Sequence, residues 1–420
     1  MEILAAAIRS NDTERVRRVL AEHPELKTRL DEALPGEAFG ATPLLAAVHQ
    51  GNRELIDLLL QAGANINQRS HWWAGSFGVL DHDGDLAPYL IERGAVVDAH
   101  AAARLGMIDR LRELLTADPA VVHARGGDGQ TPLHFAKNIE VAELLLGHGA
   151  DIDARDVDHE STPAHWMIKD RQEVVRYLVG RGCRTDLLMA AALGDLALAR
   201  KHLEADPACI RISVSDEWFP RQNPKSAGTI YNWTLDRDKS APFIARKFGH
   251  QDVYQYLIER TPEELQLAVA CEVGDGSRVR DLLARRPDLV ANLSDLEKRK
   301  LPDAARDANP GAVGLMLDAG WPVDARGQEG GTALHWAAWR GDADLVRELV
   351  RRGAPVEDRN NNYNSTPLWW GIYASVHGWH PDQGDYAGTV EVLLQAGAKP
   401  PAPDEEFEAS GAVWAVLRRR

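Results

Sequence analysis

The chain has 420 residues, a formal net charge of −15 and a pI near 5.5, so it lacks the basic balance of a phosphate-tracking surface and nucleic acid is excluded as an expected partner. Its three cysteines, Cys183, Cys209 and Cys271, are far apart and form neither a disulfide framework nor a metal pattern. No stretch reaches membrane-spanning length, so a cytoplasmic, monomeric protein with no membrane association is expected.

A single core for so long a chain would be unusually large, which favours small units resting on their neighbours. In chain order, 1–34 opens with an arginine-bearing helix from Glu2 to Leu20. Residues 40–67 follow as "GATPLLAAVHQGNRELIDLLLQAGANIN". Less regular segments occupy 70–98 and 99–127, and 129–154 ("GQTPLHFAKNIEVAELLLGHGADIDA") and 161–186 ("STPAHWMIKDRQEVVRYLVGRGCRTD") restore the pattern. A middle block runs 187–214, 229–262, 263–293 and 294–327, before "GTALHWAAWRGDADLVRELVRRGAPVED" at 331–358. Each regular unit has a physical grammar. Thr42, Thr131, Thr162 and Thr366 can cap a helix, and Pro43, Pro132, Pro163 and Pro367 fill the first helical position, where no N–H is needed. Leucine runs such as Leu58–Leu60 and Leu144–Leu146 supply the apolar stripe of a second helix. Gly63, Gly149, Gly182 and Gly353 stop it.

Gly149 to Gly182 and Gly320 to Gly353 are each 33 residues apart. With the T-P-L-H-x-A run, that period resembles the ankyrin-repeat family over essentially the whole chain. The resemblance implies an all-α solenoid of helix-turn-helix repeats with β-hairpin fingers, about twelve repeats with several degenerate, continuous over 1–400 and closed by a capping segment at 401–420. It also implies that His134, His165 and His335 tie adjacent hairpins together, and that recognition runs through a concave groove. Such proteins mostly bind other proteins and are rarely enzymes.

Departures from the repeat are where specific function would be written. Residues 215–239 enlarge one turn and carry Tyr231, Trp233, Asp236 and Asp238; residues 375–388 separate two helices and carry His377, Trp379, His380, Asp382 and Asp385. A third departure, "SHWWAGSFGVLDHDGDLAPYLIERGA", lacks Thr-Pro and puts Trp72 and Trp73 in a finger. Asp81, Asp83, Asp85 and Glu92 match four positions of a calcium loop, but Leu86 stands where Gly is required, so the acids read as a turn. His377 and His380 form an H-x-x-H that could hold zinc, although Gly378 and Pro381 make the segment a loop. No metal and no cofactor are therefore expected. Trp166, Trp336 and Trp370 occupy a slot that is normally a core leucine. Trp339 lies three residues further on, facing the groove, with Phe248 and Tyr373 at corresponding places.

The resulting expectation is an intracellular scaffold that binds a protein partner through an aromatic-rich groove. The alternative is a small-molecule-binding or catalytic solenoid. Its walls would be Trp72, Trp73, Tyr231, Trp233, Phe248, Trp339, Tyr373, His377 and Trp379, and its acid/base groups would come from Asp81, Asp236, Asp238, His377, Asp382 and Asp385.

Overall fold

Short helices in helix-turn-helix pairs build the chain, because each regular segment supplies a cap, two turns of apolar-faced residues and a stop. The computed structural model describes residues 1–81, 85–402 and 405–419; Asp83 of the calcium-like run lies outside them. Two compact units result, Met1–Val253 and Tyr254–Arg420. Among the described residues there is no extended strand, only isolated antiparallel bridges such as Gly126 with Gln130 and Arg326 with Thr332, which close the fingers. No described helix is long and apolar enough to cross a membrane.

In the first unit the expected single helix from Glu2 to Leu20 is a pair, Glu2–Arg9 and Thr13–Glu22. Asn11 turns left-handed (φ 52°), and the Asp12 carboxylate accepts from Arg15 N at 2.9 Å to start the second helix. Pairs follow at Pro43–His49 with Arg53–Gln61, Ala99–Leu105 with Ile108–Ala117, Pro163–Met167 with Gln172–Gly180, and Leu187–Leu193 with Leu196–Ala205. Segment 70–81 forms no helix. It wraps around the Arg69 guanidinium, which donates to Ser76 O at 2.7 Å and Asp81 Oδ2 at 2.9 Å. Asp81 is buried and also accepts from Gly78 N, so it anchors this loop and offers no free carboxylate for acid/base work.

One hydrogen-bond bracket ties a helix start to the next finger. Thr131 N donates to His134 Nδ1 (3.1 Å), which leaves the proton on Nε2 to be donated to Ser161 O (3.2 Å). The same bracket recurs at Thr332 and His335, whose Nε2 reaches Ser365 O at 3.1 Å. Burial pushes the His134 imidazole down to about 3 despite its bond to Ser161, and burial also lowers His335. In the third such unit the bracket is absent. Among the described residues Thr162 Oγ1 and His165 Nδ1 have no hydrogen-bond partner, and the expected Thr162 cap does not form.

The second unit pairs Glu263–Glu272 with Gly276–Arg285, Lys300–Arg306 with Pro310–Ala319, Ala333–Arg340 with Ala343–Arg351, and Pro367–His377 with Tyr386–Gln395. Lys300 and Glu272 are both buried, 3.0 Å apart, between the first two pairs. Because one helix runs to His377 and the next starts at Tyr386, the connecting loop is 378–385, narrower than the 375–388 read from the sequence. The final helix, Gly411–Leu417, packs on Tyr386–Gln395 with Val413 fully buried.

Two predictions follow from these contacts. Trp336 is buried, its ring edge-on to Trp370 at 5.1 Å, so Trp336→Ala is expected to cost about 3–5 kcal/mol, read as a fall in the urea midpoint. The second concerns pH. An unfolded histidine titrates near 6.5, whereas folded His134 stays neutral to about 3. Below pH ~6.5 the unfolded chain therefore binds a proton that the folded chain refuses, and stability falls as pH drops toward about 3. The urea midpoint measured between pH 7 and 4.5 should decline less steeply in His134→Gln than in the unaltered chain.

Candidate functional site

Among the described residues, each unit has a place where aromatic and titratable side chains gather. In the second unit, Trp336, Trp339, Trp370, Tyr373 and Trp379 form a contiguous cluster. Trp339 stacks on Tyr373 (centroids 6.1 Å apart, planes at 26°) and meets Trp379 edge-on at 5.8 Å. Trp379 reaches back from the loop to stack on Trp336 at 5.7 Å. Tyr386 O–H donates to Trp339 O at 3.2 Å, fixing the loop's far end to the same helix. Trp336 and Trp370 are core, as their slot implies. Trp339 is half-buried and partly packed on that core, so it is less of a free wall than its position suggests. Tyr373 and Trp379 remain 54% and 52% exposed. A cavity of about 410 Å³ lies alongside, lined by Trp339, Trp379, His380, Asp342, Asp385 and Tyr386 among others.

The polar candidates of this region do not converge. His377 packs on Tyr373 (centroids 4.6 Å) and its Nε2 lies 2.8 Å from Glu408 Oε2. Asp385 caps the helix Tyr386–Gln395 by accepting from Gly388 N at 2.8 Å, and Asp382 is exposed. His377 and His380 do not belong to the one group of side chains that has metal-ligand spacing among the described residues.

That group lies in the first unit: Asp128, Asp158 and His159, all buried. Asp128 sits at the tip of the finger closed by Gly126 and Gln130. Its carbonyl accepts from Val157 N and Asp158 N of the next finger, at 2.9 and 3.0 Å. The non-helical segment 70–81 presses on the other side, where Gly127 N donates to Ser76 O and Trp72 Nε1 donates to Asp128 Oδ1 at 3.0 Å. The insertion closes the site from above. Ser226 Oγ and Ala227 N donate to Asp158 O (2.6 and 2.9 Å), and His159 Nδ1 donates to Gly228 O at 3.0 Å. The His159 ring is flanked edge-on by Trp166 and Trp233, with centroids at 5.1 and 4.8 Å. Burial pushes the Asp128 carboxyl up to about 6 against the pull of His159, with a further push from Asp158 and Asp156. Asp156 is raised by burial too, opposed by the Ser161 and His159 N–H groups that it accepts, both at 2.7 Å.

The structure thus brings Trp72 and Trp233 to one site, together with a buried Asp/Asp/His group outside the residues singled out in the sequence. Trp73 is exposed and tilts against Trp72 at 6.0 Å. Tyr231 is a correction: it is no wall residue but fully buried, its O–H donating to Asp186 Oδ2 at 3.1 Å and its ring 4.5 Å from His165. Asp236 is held by Lys247, and Asp238 is buried where its backbone N donates to Val214 O. Phe248 is half-buried at the end of the helix Ala241–Lys247. The three cysteines are poor nucleophiles, since burial pushes Cys183 and Cys271 up to about 12 and Cys209 to about 11. The signal for the missed site was the 30-residue step from Asp128 to Asp158, close to the repeat period, which sets equivalent finger positions side by side.

Gly129 sets how closely the fingers approach. Its φ is +82°, and a Cβ there would collide with the Val157 side chain and lie 2.9 Å from Ala74 O. Gly129→Ala should therefore loosen the contact by ~1 kcal/mol or more. Amide exchange at Val157 and Asp158 should speed up roughly tenfold, while amides of the helix Leu196–Ala205 stay unchanged.

Family models for ankyrin repeats match this chain over more than half its length: "Ankyrin repeats (3 copies)" at residues 99–189 and 301–404, and "Ankyrin repeat" at 39–71. Among curated proteins, it is 30% identical over 271 residues to the mouse (Mus musculus) B-cell lymphoma 3 protein homolog, covering 62% of this chain and 52% of that protein. It is 34% identical over 163 residues to the human (Homo sapiens) B-cell lymphoma 3 protein, covering 34% of this chain and 36% of that one. The match to palmitoyltransferase Hip14 of Drosophila melanogaster is 30% identity over 132 residues, 31% of this chain and 19% of that one. The chain thus spans about half or less of the length of these relatives.

Proposed function

Because this chain belongs to the ankyrin-repeat family, we propose that it is a protein-binding scaffold that recognises its partner through the aromatic-rich face of its second unit. About twelve repeats, several degenerate, supply the framework. The observation that carries this reading is the half-exposed pair Tyr373 and Trp379, continuous with Trp339 and with the buried rings of Trp336 and Trp370. A repeat that needed its aromatic residues only for packing would bury them. Exposed aromatic rings braced by a rigid core lose little entropy on binding, which is why such residues dominate binding energy in interfaces. The loop 378–385 brings Trp379 into this surface and is fastened at both ends, through Trp379 on Trp336 and Tyr386 on Trp339. His377 and His380 lie at its rim.

Site-specific photo-cross-linking tests this in the chain's own host. A benzophenone side chain at position 373 or 379 should capture one and the same protein, and one at the exposed Arg351 should not. The double variant Tyr373→Ala/Trp379→Ala should weaken binding of that protein at least ~10-fold, about 1.4 kcal/mol, with the urea midpoint unchanged. Capture at all three positions alike, or affinity unaltered in the double variant, would move recognition elsewhere.

A further inference from the structure

We propose that Asp128, Asp158 and His159 in the first unit bind a single divalent transition-metal ion of the zinc class, leaving part of its coordination sphere open. His159 Nε2 stands 3.7 Å from Asp158 Oδ2 and 3.9 Å from Asp128 Oδ2, and the three ligand atoms all lie within 4.8 Å of one another. These gaps are too long for hydrogen bonds. They are close to the separation of atoms that share an ion at about 2.0–2.2 Å, roughly 3.4–3.6 Å for angles near tetrahedral to trigonal.

The outer atoms of all three groups are already spoken for. His159 Nδ1 donates to Gly228 O, which places the Nε2 lone pair inward; Trp72 Nε1 holds Asp128 Oδ1; and Ala227 N approaches Asp158 Oδ1 at 3.3 Å. Orientation of each ligand through its second polar atom is how proteins prepare metal sites. Asp156 is a positioning residue in this scheme, since its two oxygens take the backbone N–H groups of His159 and Ser161.

An independent observation is His159 itself. It is only 8% exposed, and the groups that Nε2 approaches, the Asp158 and Asp128 carboxylates, both stand beyond hydrogen-bond reach. No lysine or arginine pairs with Asp128, Asp156 or Asp158 among those residues either, so three buried carboxylates face a single imidazole. Buried charge without a counter-ion is costly, and a dication would offset it. The donor set selects the ion. An imidazole disfavours calcium, which takes oxygen ligands throughout, and the lack of thiolate disfavours copper(I). Three protein ligands rather than four mark an open site of the kind that can also bind water or substrate.

The test uses the whole 420-residue chain, untagged, stripped with chelator and titrated with Co2+ and Zn2+ by calorimetry and visible absorption. One equivalent per chain is expected. Asp158→Asn, Asp128→Asn and His159→Gln should each weaken it by about 100-fold or more, and Trp72→Phe by roughly tenfold. His377→Ala and His380→Ala should leave it unchanged. X-ray absorption of the zinc-loaded, unaltered chain provides a readout that needs no variant: one imidazole and otherwise oxygen neighbours are expected. Failure to bind either ion saturably, binding that persists in His159→Gln, or a shell with sulfur or two imidazoles would each overturn the assignment.

Discussion

The neutral imidazole of His134 is the contact on which the arrangement of the fingers rests. A two-turn helix is not stable alone, and a single repeat cannot bury its own apolar face. Each unit therefore needs a directional link to the next. His134 provides one by accepting from the helix start at Thr131 and donating to the following finger at Ser161. Only one tautomer can do both. The Ser161 carbonyl that it holds belongs to the finger carrying Asp158 and His159, so the position of the buried cluster is inherited from a packing device.

Where that device is missing, the insertion takes its place. His165 does not bracket Thr162; it turns toward Asp186, with Nε2 at 3.6 Å, and packs on Tyr231. Tyr231 shares the same carboxylate. The insertion is thus part of the core of the first unit as well as the cover of its polar cluster, and this dual role explains why one of its aromatic residues is buried while Trp233, two positions on, is half exposed.

What could be read from the sequence and what could not divide along physical lines. Caps, leucine stripes and glycine stops act within a few residues, so the helix pairs were legible. Trp336 and Trp370 were legible too, buried as their slot in a regular repeat implies, whereas Trp166 in the same slot is only half-buried beside His159. The break after Arg9 was not, since a left-handed Asn11 is a local choice that helical periodicity does not report. Nor was the cluster around Asp128. Its parts come from a non-helical segment, two fingers and an insertion, and the bond from Trp72 to Asp128 spans 56 residues. Periodicity carries no information about segments that are not periodic. Of the residues that stood out by density, His377 pairs with Glu408 and Asp385 caps a helix. The group that came together stood out only by its spacing.

The insertion is joined to the finger beneath it largely through main-chain atoms. The Glu160 carboxylate accepts from Gln222 N and Asn223 N at 2.8 and 2.7 Å; Ala227 N and Gly228 O complete the seam with Asp158 and His159. Peptide groups are the same whatever side chain they bear. Most of the side chains from Arg221 to Lys225 point to solvent, so mutation can explore chemistry along the rim of the cavity of about 200 Å³ that Arg221, Gln222 and His159 help to line, without unfastening the cover. Proline at position 222 or 223 is the exception, because it alone has no N–H to give. Elsewhere on this stretch, evolutionary drift can retune what the cavity admits while the fold stays put.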